Sequence, residues 1–501
     1  MTEEKSISIQ PENSATTSNY RSIFKAIFLF GGVQVYQILI GIIKSKFIAV
    51  LLGPAGIGIQ GLYQSTLDVI KSLTALGLEQ SAVRDISEAN SSKDATRIGK
   101  TVANVRRLVW ITGIFGLVIA LIMSPMLSQW TFGTSDYSWG FVILSSTMLL
   151  NQLCAGQKVL LQGMRRLKEL AKASAIGSTV GLLVSIPLYY WIGVKGIVPT
   201  MVLTSVTALL LSWFYSRRVA IERVEVTTKD AVREGTSMIK MGIAMSFSSI
   251  LVAVSAYALR WFIRQQSGVN EVGLFSAGLL ITNAYVGAVF SAMGKDYYPR
   301  LAAVNKNNEL CKEIINQQGE ILLLIIAPII VSCIIFMPLI IRLIYSPEFL
   351  SANKYIIFAV SGMIFKAGSF VVAYIFPAKA ESRLYIINET IANIYTLAIY
   401  LACYYQGGLQ GLGIGFVIGY FLYFLQVYTI SWRRYNFRFT GTFNRIFVIQ
   451  LLFVISILSV VLTVKTFWLY VLAGLVLFLC AIFSLNELEK RLHVWSFLKR
   501  A

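Results

Sequence analysis

Residues Gln34 to Gly58 read QVYQILIGIIKSKFIAVLLGPAGIG, and the rest of the chain follows from how this stretch must fold. Up to Leu52 it is one apolar run, long enough with the residues before it to cross a bilayer as a helix. Lys44 and Lys46 stand inside that run. An ammonium held within a bilayer costs about 2.5–3.5 kcal/mol on insertion scales, so a lysine kept there points to function. Gln34, Gln37, Gly41 and Lys44 recur at spacings of three and four, which places them on one helix face as a polar stripe. Lys46 is rotated about 200° from Lys44 and lies nearer the end of the run, where it reads as an interfacial anchor that snorkels its charge outward. Gly53, Pro54 and Gly56 then mark a turn, readable as a hinge between two helices or as a plain tight turn.

The pattern recurs along the whole chain. Its 501 residues are 56% apolar and only 14% charged, a balance that excludes an ordinary set of soluble domains and predicts a polytopic helical membrane protein. The apolar runs are continuous rather than alternating, which excludes a β-barrel. A net charge of +20 would suit a nucleic-acid partner only on a soluble basic surface, and here the charges gather at helix ends. The five cysteines are scattered in or beside apolar segments and form neither a disulfide framework nor a metal-ligand spacing. The first 22 residues are polar and carry Glu3, Glu4 and Glu12, so they read as a disordered cytoplasmic tail rather than a cleavable signal peptide.

About fourteen spans fit the bilayer length. They group as an all-α fold of two six-helix lobes, residues 23–216 and 241–432, joined by a basic cytoplasmic linker at 217–240. Helices 13 and 14 follow over 433–486, and 487–501 suit an amphipathic helix on the inner leaflet. With both termini inside, only Lys195, Arg264, Lys354 and Lys465 of the 44 basic residues fall in outward loops, as the positive-inside rule demands. Six basic residues lie within spans: Lys44, Lys46, Lys71, Arg260, Arg342 and Lys366. The longest outward loop, SPMLSQWTFGTSDYSW, is too short for an extracellular domain, and the basic inward loops suit membrane lipids with anionic headgroups.

A shift of 215 residues superimposes one half on the other. It lays Gly193-Val-Lys-Gly196 on Gly408-Leu-Gln-Gly411 and Ile57-Gly58 on Val272-Gly273, and brings Arg260 within one residue of Lys44 and of Lys46. Six spans separate the copies, so the lobes share one orientation and relate by a pseudo-two-fold axis along the membrane normal.

Further polar faces lie on other spans: Gln60, Gln64, Asp68 and Lys71 on the second, Ser246, Ser249, Ala253, Ala256 and Arg260 on the seventh, Gly362, Lys366 and Ser369 on the tenth, Glu389, Asn393 and Thr396 on the eleventh. Together they are expected to line one central cavity. Asp68 and Glu389 are the two deep acids, with Glu79 and Asp296 at helix ends, so the interior is expected to be cationic and suited to an anionic substrate. Asp68 and Lys71, three apart, can also pair with each other. Asp68 and Glu389 are the groups available for proton or sodium coupling. The single histidine, His493, lies in the tail, and no phosphate-cradling glycine loop or Asp-x-Asp metal pair is present. The expectation is a chain without cofactor, metal site or enzymatic chemistry.

The stretches LLGPAGIGIQG, AYALRWFIR, NEVGLF, YYPRL and PAKAESRLYI resemble the Wzx-type polysaccharide flippases of the multidrug/oligosaccharidyl-lipid/polysaccharide exporter superfamily. The resemblance covers about the first 430 residues, and the last two helices look like those of the fourteen-helix branch. It implies alternating access in a bacterial inner membrane and an undecaprenyl-diphosphate-linked oligosaccharide as cargo. It carries Arg260, and with it Lys44, Lys71 and Lys366, as contacts to diphosphate or acidic sugar. A glycan polymerase and a chain-length regulator are the partners such a role implies. A cation-coupled multidrug exporter and a lipid II flippase are the rivals within the superfamily. A membrane glycan polymerase or ligase would need a large outward loop, and a scaffold has no use for charged inward faces.

Overall fold

The computed structural model describes residues 13–222, 224, 226–282, 287–464 and 467–492, residues 13–35 by backbone alone. The side chains of Gln34 and Asp296, the loop residue Lys465, the first twelve residues and residues 493–501 with His493 lie outside that description. Seventeen α-helices follow in order: α1 (Asn13–Thr74), α2 (Leu78–Ser92), α3 (Ala95–Ile122), α4 (Ser124–Phe132), α5 (Ser138–Gly163), α6 (Leu167–Ile192), α7 (Ile197–Ser216), α8 (Thr228–Ser267), α9 (Val269–Ile281), α10 (Gly287–Ala303), α11 (Asn308–Ile344), α12 (Asn353–Ser361), α13 (Met363–Ala373), α14 (Ile375–Ala378), α15 (Ser382–Tyr435), α16 (Gly441–Thr463) and α17 (Phe467–Leu492). Among the described residues there is no strand. Among the same residues ten helical segments are long and apolar enough to cross a bilayer.

Three of those segments are hairpins. Lys44 and Asp68 line one small pocket, yet a continuous helix would set them about 36 Å apart at 1.5 Å per residue. α1 therefore doubles back, and it does so at Gly53, whose φ of 63° and ψ of −168° belong to a region open essentially to glycine. Likewise Tyr423 donates to Glu389 at 2.7 Å within α15, which folds back at Gly407 and Gly408. α6 and α7 turn through Gly193–Gly196. With α9 and α10 as the two pieces of one more span, the chain crosses about 14 times. α1–α7 make the first lobe, α8–α15 the second, and α16–α17 the terminal pair.

The lobes repeat each other down to backbone angles. Gly53 and Gly268 are 215 residues apart and share one conformation, with φ of 63° and 84° and ψ of −168° and −177°. Gly193 and Gly408, also 215 apart, do the same, with φ of 61° and 55° and ψ of −135° and −144°. At the axis the two copies touch reciprocally. A Cβ on Gly58 would run into the Val269 carbonyl and one on Gly273 into the Pro54 carbonyl, and Pro54 and Val269 are themselves repeat mates. A Cβ on Gly61 would stand 2.9 Å from the hydroxyl of Ser276, its own counterpart. Only glycines allow two helices to approach this closely.

The expected basic linker is partly helix: residues 228–240 are the first turns of α8, with the Thr227 hydroxyl accepting from the Asp230 amide as N-cap. The long loop after α3 contains α4, begun by Ser124-Pro125 and ended by Gly133 in the left-handed region. The terminal pair is bolted to the second lobe. Phe443 stacks on Phe439 at 3.9 Å between ring centroids and lies over the flat spot left by Gly319 of α11. Residues 487–492, expected in a separate surface helix, instead continue α17. Nothing breaks the helix there, and its end is anchored by Arg491, which reaches Glu487 at 2.6 Å and Glu320 of α11 at 2.9 Å.

Candidate substrate cavity

A cavity of about 780 Å³ lies between the lobes. The first lobe contributes Gly41, Lys44, Ser45, Gln60, Gly61, Gln64, Ser65 and Asp68 from the two arms of α1, and the second contributes Ser248, Ser249, Ala253, Ala256 and Arg260 from α8, with Ser276 and Leu279 from α9 and Tyr385 and Glu389 from α15. The lining pairs off across the axis: Gly41 with Ala256, Ser45 with Arg260, Gly61 with Ser276 and Gln64 with Leu279 are each 215 apart. Lys44 is one residue out of register with Arg260, and both reach the same space.

Its charges divide into two held acids and two open cations. The Asp68 carboxylate accepts from the Gln64 amide at 2.8 Å. Glu389 accepts from the Tyr423 hydroxyl at 2.7 Å and the Asn388 amide at 3.2 Å. Arg260 donates one N–H to the Ala256 carbonyl at 3.1 Å and lies 5.5 Å from the centroid of the Phe275 ring, but its buried Nε has no acceptor. Among the described residues neither Arg260 nor Lys44 has a carboxylate partner. The cavity wall is thus formally balanced, two against two, rather than strongly cationic.

The remaining basic residues are elsewhere. Lys71 ion-pairs with Glu79 at 2.8 Å, because the turn at Leu76 and Gly77 brings that carboxylate back along the helix. The Asp68–Lys71 pair is consequently not formed. Lys366 is enclosed within the second lobe between the rings of Phe290 and Tyr420, 5.5 and 5.4 Å from their centroids, and does not line the cavity. Lys46 is no interfacial anchor. It donates to the carbonyls of Arg342 and Tyr345, at 2.7 and 2.5 Å, where the exposed C-terminal carbonyls of α11 attract a cation. That contact ties the first lobe to the second. Of the other inward faces, Ser369 bonds back to the Lys366 carbonyl and Asn393 to that of Glu389.

At the opposite end of the molecule the lobes meet again. Lys100 of α3 ion-pairs with Glu234 of α8 at 2.8 Å, and the Asn104 amide donates to the same carboxylate at 3.0 Å. These partners hold the Glu234 carboxyl below its ordinary value of 4.5, the bond from Lys100 contributing most and that from Asn104 next.

The family described as polysaccharide biosynthesis protein matches residues 47–354, more than half of the chain. The chain belongs to the polysaccharide biosynthesis protein family. The lipid III flippases of Escherichia coli (strain K12) and Shigella flexneri are each 22% identical to it over 430 residues, which cover 82% of this chain and 99% of the relative. Among solved structures, an inward-facing multidrug resistance MATE family transporter of the MOP superfamily superimposes with a TM-score of 0.69 at 17% identity, covering 81% of this chain and 98% of its own. The lipid II flippase MurJ in an inward closed conformation gives 0.70 at 14% identity over 94% and 99%. Both are multi-pass helical membrane transporters, and this fold is theirs.

In this polysaccharide biosynthesis protein the cavity can do two things chemically. Lys44 and Arg260 can bind anionic oxygens, and the amides, hydroxyls and acids beside them can exchange hydrogen bonds with a polar cargo. Reading helix faces one at a time found Lys44, Gln60, Gln64, Asp68, Ser249, Arg260 and Glu389. It missed Ser45, Ser65, Ser248, Ser276 and Tyr385. The repeat could have supplied Ser45, as the mate of Arg260.

Proposed function

We propose that the protein is a flippase, carrying a polyprenyl-diphosphate-linked oligosaccharide of the undecaprenyl type across a bacterial inner membrane by alternating access between its lobes, with transport rather than catalysis as its role. The observation that carries this reading is the pair of cations with no ion pair among the described residues, Lys44 and Arg260, supplied by opposite lobes to one cavity. A diphosphate bridging them would draw the lobes together, and the polyprenyl tail would stay in lipid. The names of the lipid III flippases and the family's description support a lipid-linked glycan as the cargo class. The excess of Lys and Arg at the Lys100 end supports placing that end, and both termini, in the cytoplasm. Asp68 and Glu389 are the groups offered for ion coupling. A glycan polymerase and a chain-length regulator would act on the delivered cargo.

Arg260→Ala and Lys44→Ala test the reading in a deletion strain complemented with each variant. Each removes a charge-assisted contact, so surface glycan should fall by roughly 10- to 100-fold at unchanged protein level. Export at the normal rate by both variants rejects the mechanism. Growth arrest on deletion, in place of loss of surface glycan alone, would make lipid II the cargo.

A further inference from the structure

A second hollow, about 330 Å³, opens off the central cavity into the first lobe and shares Lys44, Gln60, Gln64 and Asp68 with it. Its deep wall comes from three other helices, with Asn151 on α5, Tyr189 on α6 and Thr200 and Thr204 on α7. The side chains of Tyr189 and Thr200 are 2% and 1% exposed. Their hydroxyls lie beside each other and meet no hydrogen-bonding group among the described residues other than one another. When one of the two donates to the other, the second O–H still has no acceptor, and a buried hydroxyl left unpaired costs about 1–3 kcal/mol, so the pair marks a place where something else completes it.

The contents can be narrowed by chemistry. Water alone would need about ten molecules to fill such a volume, far more than two hydroxyls require. A hard cation would want several convergent carboxylate or carbonyl oxygens, whereas here two ammonium groups, Lys44 and Lys71, flank a single carboxylate, Asp68, with Glu79 on Lys71. What remains is a neutral or mildly acidic ligand rich in hydroxyls. The amides of Gln60 and Asn151 make no hydrogen bond among the described residues, and each offers both a donor and an acceptor. With the two hydroxyls they form the mixed set that vicinal diols bind. The size lies at the lower end for small-ligand pockets.

We propose that this hollow is a sugar subsite, taking one monosaccharide residue of the cargo's glycan head while the diphosphate lies between Lys44 and Arg260. The inference rests on the flippase reading above and adds to it the residues that recognise the glycan: Asn151, Tyr189 and Thr200. Lys44, at the junction of the two spaces, would then touch both sugar and phosphate.

The test is binding to the purified full-length protein of two probes, undecaprenyl diphosphate and the lipid-diphosphate oligosaccharide extracted from producing cells. Wild type should bind the glycan-bearing lipid at least tenfold more tightly. Thr200→Val, which keeps the shape and removes the hydroxyl, and Asn151→Ala should each erase most of that preference and leave the affinity for undecaprenyl diphosphate unchanged. Arg260→Ala should weaken both lipids alike. Equal affinity of wild type for the two lipids, or variants that leave the preference intact, overturns the subsite. Wild type that binds neither lipid overturns the flippase reading and the subsite with it. A sodium-dependent rise in melting temperature that Thr200→Val abolishes would make the hollow an ion site and also reject the proposal.

Discussion

Lys46 shows how one side chain can hold two lobes. Its ammonium reaches carbonyls 296 and 299 residues away, Arg342 and Tyr345, at the end of α11 where those carbonyls have no helical partners. Charge-assisted bonds to a helix C-terminus are worth about 1–3 kcal/mol together. Lys46→Met, which keeps the apolar stem, should therefore lower the melting temperature in detergent by a few degrees. It should also loosen the Gly53 end, while Lys44→Met leaves stability nearly unchanged because its ammonium has no hydrogen-bond or ion-pair partner among the described residues. Equal melting points for wild type and Lys46→Met would show that the cap contributes nothing. The contrast between the two lysines was half legible in the sequence. Helix periodicity separates their faces because a face is local, and it put Lys44 beside Gln37 and Gly41. What Lys46 meets is not local, so its rotation away from the stripe looked like a path to the lipid interface. Lys366 failed for the same reason: a polar spacing on one helix cannot reveal that Phe290 and Tyr420 close over it.

Elements meet at the axis through glycine. Where the second arm of α1 crosses α9, Gly58 and Gly273 each face the carbonyl of the other helix's first turn. Overpacking such a contact costs about 1–3 kcal/mol. Gly58→Ala and Gly273→Ala should each force the helices apart by a similar amount, since the contact is reciprocal. The double variant should be markedly less than additive, because once the first methyl has separated the helices the second meets open space. Melting temperatures of the four proteins decide it, and strict additivity would mean the two contacts are independent. The 215-residue offset was already visible in the sequence at these positions, and it also predicted the order and orientation of the helices. Apolar length sufficed for the helical spans, since it is imposed by the bilayer rather than by tertiary detail. The shared backbone angles of Gly53 with Gly268 and of Gly193 with Gly408 were beyond reach, as glycine is common in turns of every kind.

At the scale of the whole molecule the two lobes are tied together at two ends by contacts of different kinds. The Gly53 end is held by close backbone contacts and the Lys46 cap, the Lys100 end by the packing of Gly77 against the Gly242 carbonyl and by an ion pair with half-exposed side chains, Lys100 with Glu234. Exposed pairs are weak and are screened by salt, whereas close backbone packing is not. The ion pair is therefore the tie that acid and salt can release, and its loss should loosen the Lys100 end. The pH dependence has a fixed sign. Glu234 titrates below 4.5 because Lys100 and Asn104 favour its carboxylate, so the tie is fully present above that value and is lost only as pH falls through the depressed one. A distance between spin labels placed at Lys93 and Arg233, across this end, should stay constant from pH 7 to pH 5 and lengthen on further acidification. Glu234→Gln should already show the longer distance at neutral pH and lose the pH dependence, and high salt should act on wild type in the same direction. A transition centred near pH 6 would assign the closure to some other group, and an unchanged distance in Glu234→Gln would place the tie in the packing of Gly77 against Gly242 instead.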